Sequence, residues 1–288
     1  MKQYTYEVSL KKIGMVAVDS NSLAAVNSER YKEYIKILYL PKDCSVRVDF
    51  STYFTEFNSL FFISPNQMLS IENVGNDQGY LIYYNRDFYC IQIHDDEVAC
   101  DGLLFNNIHN IPMTPVPSEE SMFIDYLFNE VEKEFGVKDP LQEEMIRTYL
   151  KQLLIRATRL WKTEHLGRTT SQKHGEIEVF RQFTQLVEAY YKQKHSVAAY
   201  ADILAIAPKT LTHKLKKMDL PSPNDIIKNR IILEAKRLLV HTQKTAKEVA
   251  YDLGYEDPAY FSRLFTIKTG ETPSGYRNKY LNLHPQIR

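Results

Sequence analysis

Two stretches of this chain place polar side chains at matching positions, and the two prolines that begin them, Pro208 and Pro258, stand 50 residues apart. Arg263 offers the most distinctive chemistry, because a guanidinium can donate two hydrogen bonds to guanine O6 and N7. His213 occupies the corresponding position upstream and can donate one such bond to a base or a phosphate. The outward positions are Lys209, Thr212, His213 and Lys216 in the first stretch and Ala259, Ser262, Arg263 and Thr266 in the second.

The residues around the second stretch predict two short helices joined by a tight turn. Thr245 and Glu248 have the spacing of a capping box, which begins the first helix. Gly254 suits the left-handed position that ends a helix. Asp257 can cap the next helix, and Pro258 fits its first position, where no backbone N–H is needed. These signals together predict a helix-turn-helix.

The first stretch repeats this pattern with weaker local signals. Ser196 can cap a helix, and Leu211 and Leu215 fall on an inward face. Ala205 stands where the second copy has its glycine, and Ala207 stands where the second copy has its capping aspartate. We therefore expect the first copy to depend more on tertiary packing.

The segment between the copies, Ser222 to Thr242, predicts one long helix with Ile227, Ile231, Ala235 and Leu238 on one stripe. A rigid helix fixes the distance between the two units. Two recognition helices on one face of B-DNA would then enter major grooves about 34 Å apart.

The C-terminal third of the chain resembles the AraC/XylS family of bacterial transcription regulators. The resemblance implies two helix-turn-helix units bridged by a helix, which bind duplex DNA. It assigns base contacts to Lys209, Thr212 and His213 in the first unit and to Pro258, Ala259, Ser262 and Arg263 in the second. We expect Lys216, Lys217 and Lys268 to contact phosphates, which position a protein without specifying a sequence. The segments that carry the resemblance are "ADILAIAPKTLTHKLKK" (201–217), "RIILEAKRLLVHT" (230–242) and "AKEVAYDLGYEDPAYFSRLFTIKTGETPSGYRNKY" (246–280).

Charge divides the chain in the same way. The whole chain has 36 basic and 36 acidic residues, but residues 171–288 contain 19 basic and 12 acidic residues, a balance of +7. Residues 1–170 contain 17 basic and 24 acidic residues, a balance of −7. A basic segment beside an acidic one is typical of a DNA-binding domain attached to a domain with another task.

Residues from about 36 to 111 predict an antiparallel β domain. Short runs rich in aromatic and β-branched residues are bounded by turn residues, and Asp101-Gly102 is a hairpin signal. The family resemblance implies a cupin-like barrel here. The predicted strands lie in "SVRVDF" (45–50), "SLFFISP" (59–65), "GYLIYY" (79–84) and "DFYCIQIH" (87–94).

Two amphipathic helices follow, between about 118 and 161, after a hinge-like stretch "PMTPVPSEE" (112–120). The second helix has a wide apolar stripe that includes Met145, Tyr149 and Leu153, with Leu154 beside it. Such width is expected of a helix that packs on its own domain and on a second subunit. The sequence therefore predicts a homodimer. A polar stretch within 162–176 predicts an interdomain linker.

Metal-dependent enzymes are a rival interpretation. "HDDE" (94–97) and His109 contain ligand-type residues, but consecutive strand residues alternate between faces and cannot converge on one ion. The three cysteines, Cys44, Cys90 and Cys100, are too scattered for a disulfide framework or for the zinc site of an alkyl-accepting DNA-repair protein. We therefore expect neither a metal nor a cofactor.

The sequence as a whole predicts an α+β two-domain protein. Residues 1–165 would form a sensor and dimerisation domain with a cupin-like β region and a helical hairpin, 166–176 a linker, and 177–288 an all-α DNA-binding domain with two helix-turn-helix units. The expected partners are double-stranded DNA, a small-molecule effector, RNA polymerase and a second copy of the chain. Without a signal peptide or a bilayer-length apolar run, the protein is expected in the cytoplasm. Two alternatives stay open: a cupin-type metal enzyme fused to a DNA-binding module, and a dimeric regulator that needs no ligand.

Overall fold

The computed structural model describes residues 2–65, 67–91, 100–101, 103–105, 113–166 and 174–283. The chain divides into two compact units, Met1–Thr170 and Ser171–Arg288, which are described separately.

Two antiparallel sheets make up most of the first unit. The larger sheet has the order β1-β2-β8-β3-β6-β9, and the smaller has the order β5-β4-β7. Their inner faces share one apolar core, to which Val16, Leu38 and Leu81 contribute from the larger sheet and Val46 and Ile71 from the smaller. The strands are β1 (Gln3–Val8), β2 (Lys11–Val18), β3 (Ile35–Leu40), β4 (Ser45–Val48), β5 (Ser51–Phe54), β6 (Ser59–Ile63), β7 (Leu69–Asn73), β8 (Gly79–Tyr84) and β9 (Met113–Pro115).

A short helix, α1 (Leu23–Val26), and a 3₁₀ turn (Glu29–Tyr31) connect β2 to β3. Asn27, which ends α1, binds the edge strand β7 as a neighbouring strand would. Its side-chain nitrogen donates to the Ile71 carbonyl at 2.9 Å, and its side-chain oxygen accepts from the Ile71 N–H at 2.7 Å. This amide blocks the open edge of the smaller sheet.

The predicted antiparallel β domain is confirmed, but its extent and closure differ from the prediction. The sheet begins at Gln3, not near residue 36. Strand β1 is an edge strand without a fully buried residue and so lacks the apolar alternation that marks a strand, whereas β2 is buried from Ile13 to Val18 and its apolar run could have indicated a strand. Within the described residues the strands form two sheets and no closed barrel, because β4 pairs only with β5 and β7. The predicted hinge at 112–120 is wrong at Met113–Pro115, which pair with β6 as strand β9.

The predicted strand at 87–94 is not found in its described part. Residues 86–88 form a turn, held by Asn85, whose carbonyl accepts from the N–H groups of Phe88 and Tyr89 at 3.2 Å. Residues 92–99 and Gly102 of the predicted hairpin lie outside the described residues. Asp101 forms an isolated bridge with Phe105.

Two helices, α2 (Ser118–Glu134) and α3 (Gln142–Leu166), follow the sheets. Helix α2 covers the outer face of the larger sheet, where the ring of Phe128 lies between Tyr39 and Tyr80, with ring centroids 5.2 and 5.3 Å away. Leu153 and Leu154 of α3 are buried within the unit. That part of the wide apolar stripe is therefore used internally and is not a free surface for a partner.

Seven helices lie in the described part of the second unit. The helix pairs α5–α6 and α8–α9 occupy the two predicted helix-turn-helix units, and α7 joins them. Helix α4 begins inside the segment predicted as linker, and α3 ends inside it. The helices are α4 (His174–Tyr190), α5 (Val197–Ile203), α6 (Pro208–Lys217), α7 (Pro223–His241), α8 (Ala246–Asp252), α9 (Pro258–Thr269) and α10 (Pro273–Leu283).

None of the helices in the described ranges is long and apolar enough to cross a membrane.

Candidate nucleic-acid interface

The second helix-turn-helix has the local structure that its sequence predicts. The Thr245 hydroxyl accepts from the Glu248 N–H at 3.2 Å, and the Glu248 carboxylate accepts from the Thr245 N–H at 2.7 Å. The Thr245 hydroxyl also donates to the Glu248 carboxylate at 2.8 Å, and the two bonds that this carboxylate accepts, from the Thr245 N–H and hydroxyl, lower the pKa of Glu248. Gly254 has φ +78°, and Asp257 caps α9 by accepting from the Ala259 N–H at 2.8 Å. Each predicted start and stop signal of this unit is confirmed.

The first helix-turn-helix makes the same turn with less suitable residues. Ser196 caps α5 by accepting from the Ala199 N–H, but Ala207 at the start of α6 has no side-chain cap. Ala205 adopts φ +53°, the conformation that the second unit gives to glycine. A non-glycine residue costs about 1–2 kcal/mol there, so tertiary packing has to hold this turn.

Helix α9 presents one polar face to solvent. Phe261 and Phe265 are fully buried, whereas Ala259 and Arg263 are exposed. Ser262 is half-buried and donates its hydroxyl hydrogen to the Pro258 carbonyl at 2.9 Å. Its oxygen can still accept, so Ser262 suits a base amino group. Pro258 itself is half-buried and can offer only an apolar contact.

Helix α6 presents the corresponding face of the first unit. Leu211 and Leu215 are fully buried, and the outward residues Lys209, Thr212, His213 and Lys216 are all exposed. Thr212 donates its hydroxyl hydrogen to the Pro208 carbonyl at 3.0 Å, as Ser262 does in α9. Each unit thus has a helix with a buried apolar face and an exposed face of cations and hydrogen-bonding groups.

A family model described as a helix-turn-helix domain matches residues 200–279, which include all of α6, α7, α8 and α9 and parts of α5 and α10. Curated regulators match the same chain at low identity. The HTH-type transcriptional activator RhaR of Salmonella schwarzengrund is 26% identical over 153 residues, which cover 53% of this chain and 52% of RhaR. These matches support a regulator of the AraC/XylS type, with its helix-turn-helix domain in residues 200–279.

Two further proteins show how far the likeness reaches. The uncharacterised HTH-type regulator YijO of Escherichia coli K12 is 25% identical over 190 residues, 66% of this chain and 62% of YijO. The chain therefore spans between about half and two thirds of the length of RhaR and YijO. The alignment with the crystal structure of ToxT from Vibrio cholerae O395 covers 96% of both chains at 14% identity, with a TM-score of 0.42.

The cations of α6 and α9 differ in what they already bind. Lys209, Lys216 and Arg263 have no acidic partner among the residues that the structure describes. Lys217 pairs with Glu176 at 2.9 Å, and Lys268 pairs with Asp225 at 2.7 Å. The ion pair of Lys268 ties α9 to the start of α7, which favours a structural role over the phosphate contact that the sequence predicts.

Two residues of α9 escaped the sequence analysis. Tyr260 is exposed beside Ala259, and Ile267 is 80% exposed one turn after Arg263. The i, i+4 spacing from Arg263 could have indicated Ile267, because such residues share a helix face. Their exposure places both on the outer surface of α9.

A buried arginine joins the helices behind this surface. Arg230 of α7 donates two hydrogen bonds to the Glu188 carboxylate of α4, at 2.6 and 2.9 Å, and one to Glu234 at 3.0 Å. Its guanidinium also lies 3.8 Å from the ring centre of Tyr191. The joining helix is therefore fastened to α4 as well as to the two helix-turn-helix units.

The first unit contains the residues weighed as metal ligands. His94, Asp95, Asp96, Glu97 and His109 lie outside the described residues. Within the described ranges no three His, Cys, Asp or Glu side chains come together as a metal site would require. The three cysteine thiols are free, and burial raises the pKa of the Cys100 thiol to about 12.

Proposed function

We propose that this protein is a transcription regulator in which residues 171–288 bind duplex DNA through α6 and α9. The observation that carries the proposal is the pair of exposed helix faces, whose cations Lys209, Lys216 and Arg263 have no acidic partner among the described residues. These faces lie within the segment that matches the helix-turn-helix family. The net charge of +7 favours the same partner.

Binding of the whole chain to duplex DNA should depend steeply on salt. If about five phosphates are neutralised, the slope of log affinity against log salt should lie near −4 to −5, because each contact releases condensed counterions. Fluorescence anisotropy with a labelled duplex at several salt concentrations measures this slope. Failure to bind any duplex at low salt would reject the proposed function.

We assign different tasks to the residues of the two faces. Arg263 reads a guanine, and Lys209, Thr212, His213, Ser262 and Ala259 supply the other base contacts, with Ala259 and Pro258 restricted to apolar ones. Lys216 contacts a phosphate, and Lys217, whose side chain is half-exposed beside Glu176, exchanges that ion pair for a phosphate contact.

Arg263→Ala should weaken binding to the preferred duplex by about 1–3 kcal/mol and relax preference at one G·C pair, because a bidentate contact discriminates by that amount. Stability should change by less than about 0.5 kcal/mol, since the side chain is exposed. Affinities for single-base variants of the preferred duplex test this. Lys216→Ala is the matched control and should weaken all variants equally. If Arg263→Ala weakened binding to all the single-base variants equally, Arg263 would contact a phosphate instead.

We further propose that the first unit controls DNA binding in response to a small molecule. A groove of 660 Å³ lies between β1, β8 and α2 and has a size suited to a metabolite. Its two lysines are already paired, Lys2 with Glu132 at 3.5 Å and Lys133 with Glu130 at 2.6 Å. This compensation favours an uncharged ligand that forms hydrogen bonds. The lining residues are Lys2, Tyr4, Gln78, Tyr80, Asn129, Glu132, Lys133 and Gly136.

A thermal-shift screen of uncharged polar metabolites tests this groove, with Tyr80→Ala as the variant that should lose the response. A regulator that needs no ligand would show no shift with any compound.

Inductively coupled plasma analysis of the purified chain tests the remaining alternative, a cupin-type metal enzyme. In the favoured scheme the protein acts in the cytoplasm, has no catalytic activity and has RNA polymerase as a further partner.

The homodimer should form through an exposed apolar patch on α2 and α3. Met122 is 82% exposed and Tyr126 is 51% exposed on α2, and Met145 is exposed on α3. Burial raises the pKa of Tyr149, and the charges of Glu130 and Tyr126 of α2 raise it further, which supports a position of Tyr149 near this patch. A second copy of the same patch would cover these side chains.

Tyr126→Glu should therefore convert a dimer into a monomer without unfolding the chain. Sedimentation velocity at micromolar concentration measures the change. Phe54→Glu is the matched control, because Phe54 is exposed on β5 of the smaller sheet, whereas α2 covers the larger sheet. A wild-type monomer, or dissociation by both variants, would contradict this location of the interface.

A further inference from the structure

The turn between α8 and α9, which includes Gly254 and Tyr255, packs on the loop between α4 and α5, which includes Lys192 and His195. The turn residue Gly254 lies so close to the loop that a Cβ atom built on it would be 1.9 Å from the Lys192 carbonyl oxygen. The imidazole N–H of His195 donates to the Leu253 carbonyl, with Nε2 2.9 Å from the oxygen. The His195 ring also stacks on Tyr255, with centroids 4.4 Å apart and planes inclined by 26°.

The loop is itself held by the first helix-turn-helix. Tyr200 of α5 is fully buried and donates its hydroxyl hydrogen to the Lys194 carbonyl at 2.9 Å. Its ring packs edge-on against Phe183 of α4, with centroids 5.7 Å apart. The position of His195 is therefore set by the first helix pair.

The turn between α8 and α9 also contacts helix α9. Tyr255 is nearly buried, and its ring lies 5.9 Å from Tyr260 and 5.5 Å from Phe261 of α9. A continuous series of contacts thus runs from α5 through His195 and Tyr255 to α9. It connects the two helix pairs by a route separate from the joining helix α7.

The two helix-turn-helix units are thus connected twice, by α7 and by the contacts of His195 and Tyr255. Two separate connections restrain the rotation of one unit relative to the other as well as the distance between them. Along B-DNA each base pair adds about 3.4 Å and about 34° of rotation, since one turn of about 34 Å holds 10–10.5 base pairs. A pair of recognition helices held at both connections can fit both grooves only when the two contacted segments are correctly spaced.

We propose that His195 is a positioning residue that sets the spacing of the two DNA segments which the protein accepts. It does not touch DNA in this scheme; it fixes the second helix-turn-helix against the first. The proposal rests on the DNA-binding function proposed above, and it makes His195 a determinant of specificity through geometry.

The test uses the full chain and the best duplex that the wild-type protein enriches from a random library. Derivatives of this duplex carry one base pair inserted or removed between the two contacted segments. The wild-type chain should lose about 30-fold in affinity, part of the roughly 10²–10⁴ gained by binding both segments together. His195→Ala should bind the parent duplex several-fold less well but lose less than about 5-fold on the derivatives, because a looser pair of units can adjust.

Two further variants separate this role from general damage. His195→Gln keeps an N–H that can reach the Leu253 carbonyl and should restore part of the spacing discrimination. If His195→Ala fails to fold, His195→Gln replaces it in the comparison with the wild-type chain. Lys192→Ala keeps its backbone carbonyl and should discriminate as wild type does. Wild-type discrimination by both His195 variants, or tolerance of both spacings by the wild-type chain, would overturn the proposal. Absence of duplex binding by the wild-type chain would instead reject the DNA-binding function itself.

Discussion

Gly254→Ala is expected to destabilise the 171–288 unit by about 2–5 kcal/mol. An alanine at φ +78° costs about 1–2 kcal/mol in the left-handed region. Its Cβ would also lie 1.9 Å from the Lys192 carbonyl oxygen, so backbone has to move on one side of the contact. Overpacking of this kind costs a further 1–3 kcal/mol or so.

Gly270→Ala is the matched control for this substitution. Gly270 ends α9 with φ +79°, but a Cβ atom there would meet nothing within 4 Å. The control should therefore show only the backbone cost of about 1–2 kcal/mol. Urea denaturation followed by far-UV circular dichroism compares the two variants. Equal destabilisation by both would show that the Gly254–Lys192 contact imposes no constraint.

Arg230→Ala is expected to destabilise the same unit by about 3–5 kcal/mol, the usual cost of removing one partner from a buried ion pair. Three hydrogen bonds to Glu188 and Glu234 are lost, together with the contact to the Tyr191 ring. Glu188 and Glu234 keep partial access to water, which holds the loss toward the lower end of that range.

The single tryptophan gives this experiment an internal reference. Trp161 is buried in the first unit, so its fluorescence reports the unfolding of residues 1–170, whereas circular dichroism reports the helices of both units. Arg230→Ala should shift the dichroism transition and leave the tryptophan transition in place. Arg230→Lys should fall between alanine and wild type, because an ammonium cannot make the forked contact of a guanidinium. Full recovery with lysine would show that charge alone is needed.

The sequence determined those features of the second unit that depend on neighbours in the chain. Thr245 with Glu248 and Asp257 with Ala259 interact across two or three residues, so a short sequence pattern contains both partners. The inward and outward faces of α6 and α9 also follow from helical spacing. For this reason the exposed polar faces of α6 and α9, which include Arg263, were predictable before any fold was known.

Tertiary structure alone decided the features that join distant residues. His195 and Leu253 are 58 positions apart, and Lys268 meets Asp225 across 43 positions, so no local pattern could reveal either contact. The same limit applies to Leu153, which looked available for a partner on its isolated helix but is covered inside its own unit. A side chain's neighbours along the chain determine its local backbone, but only the packing of separate elements determines what its far end contacts.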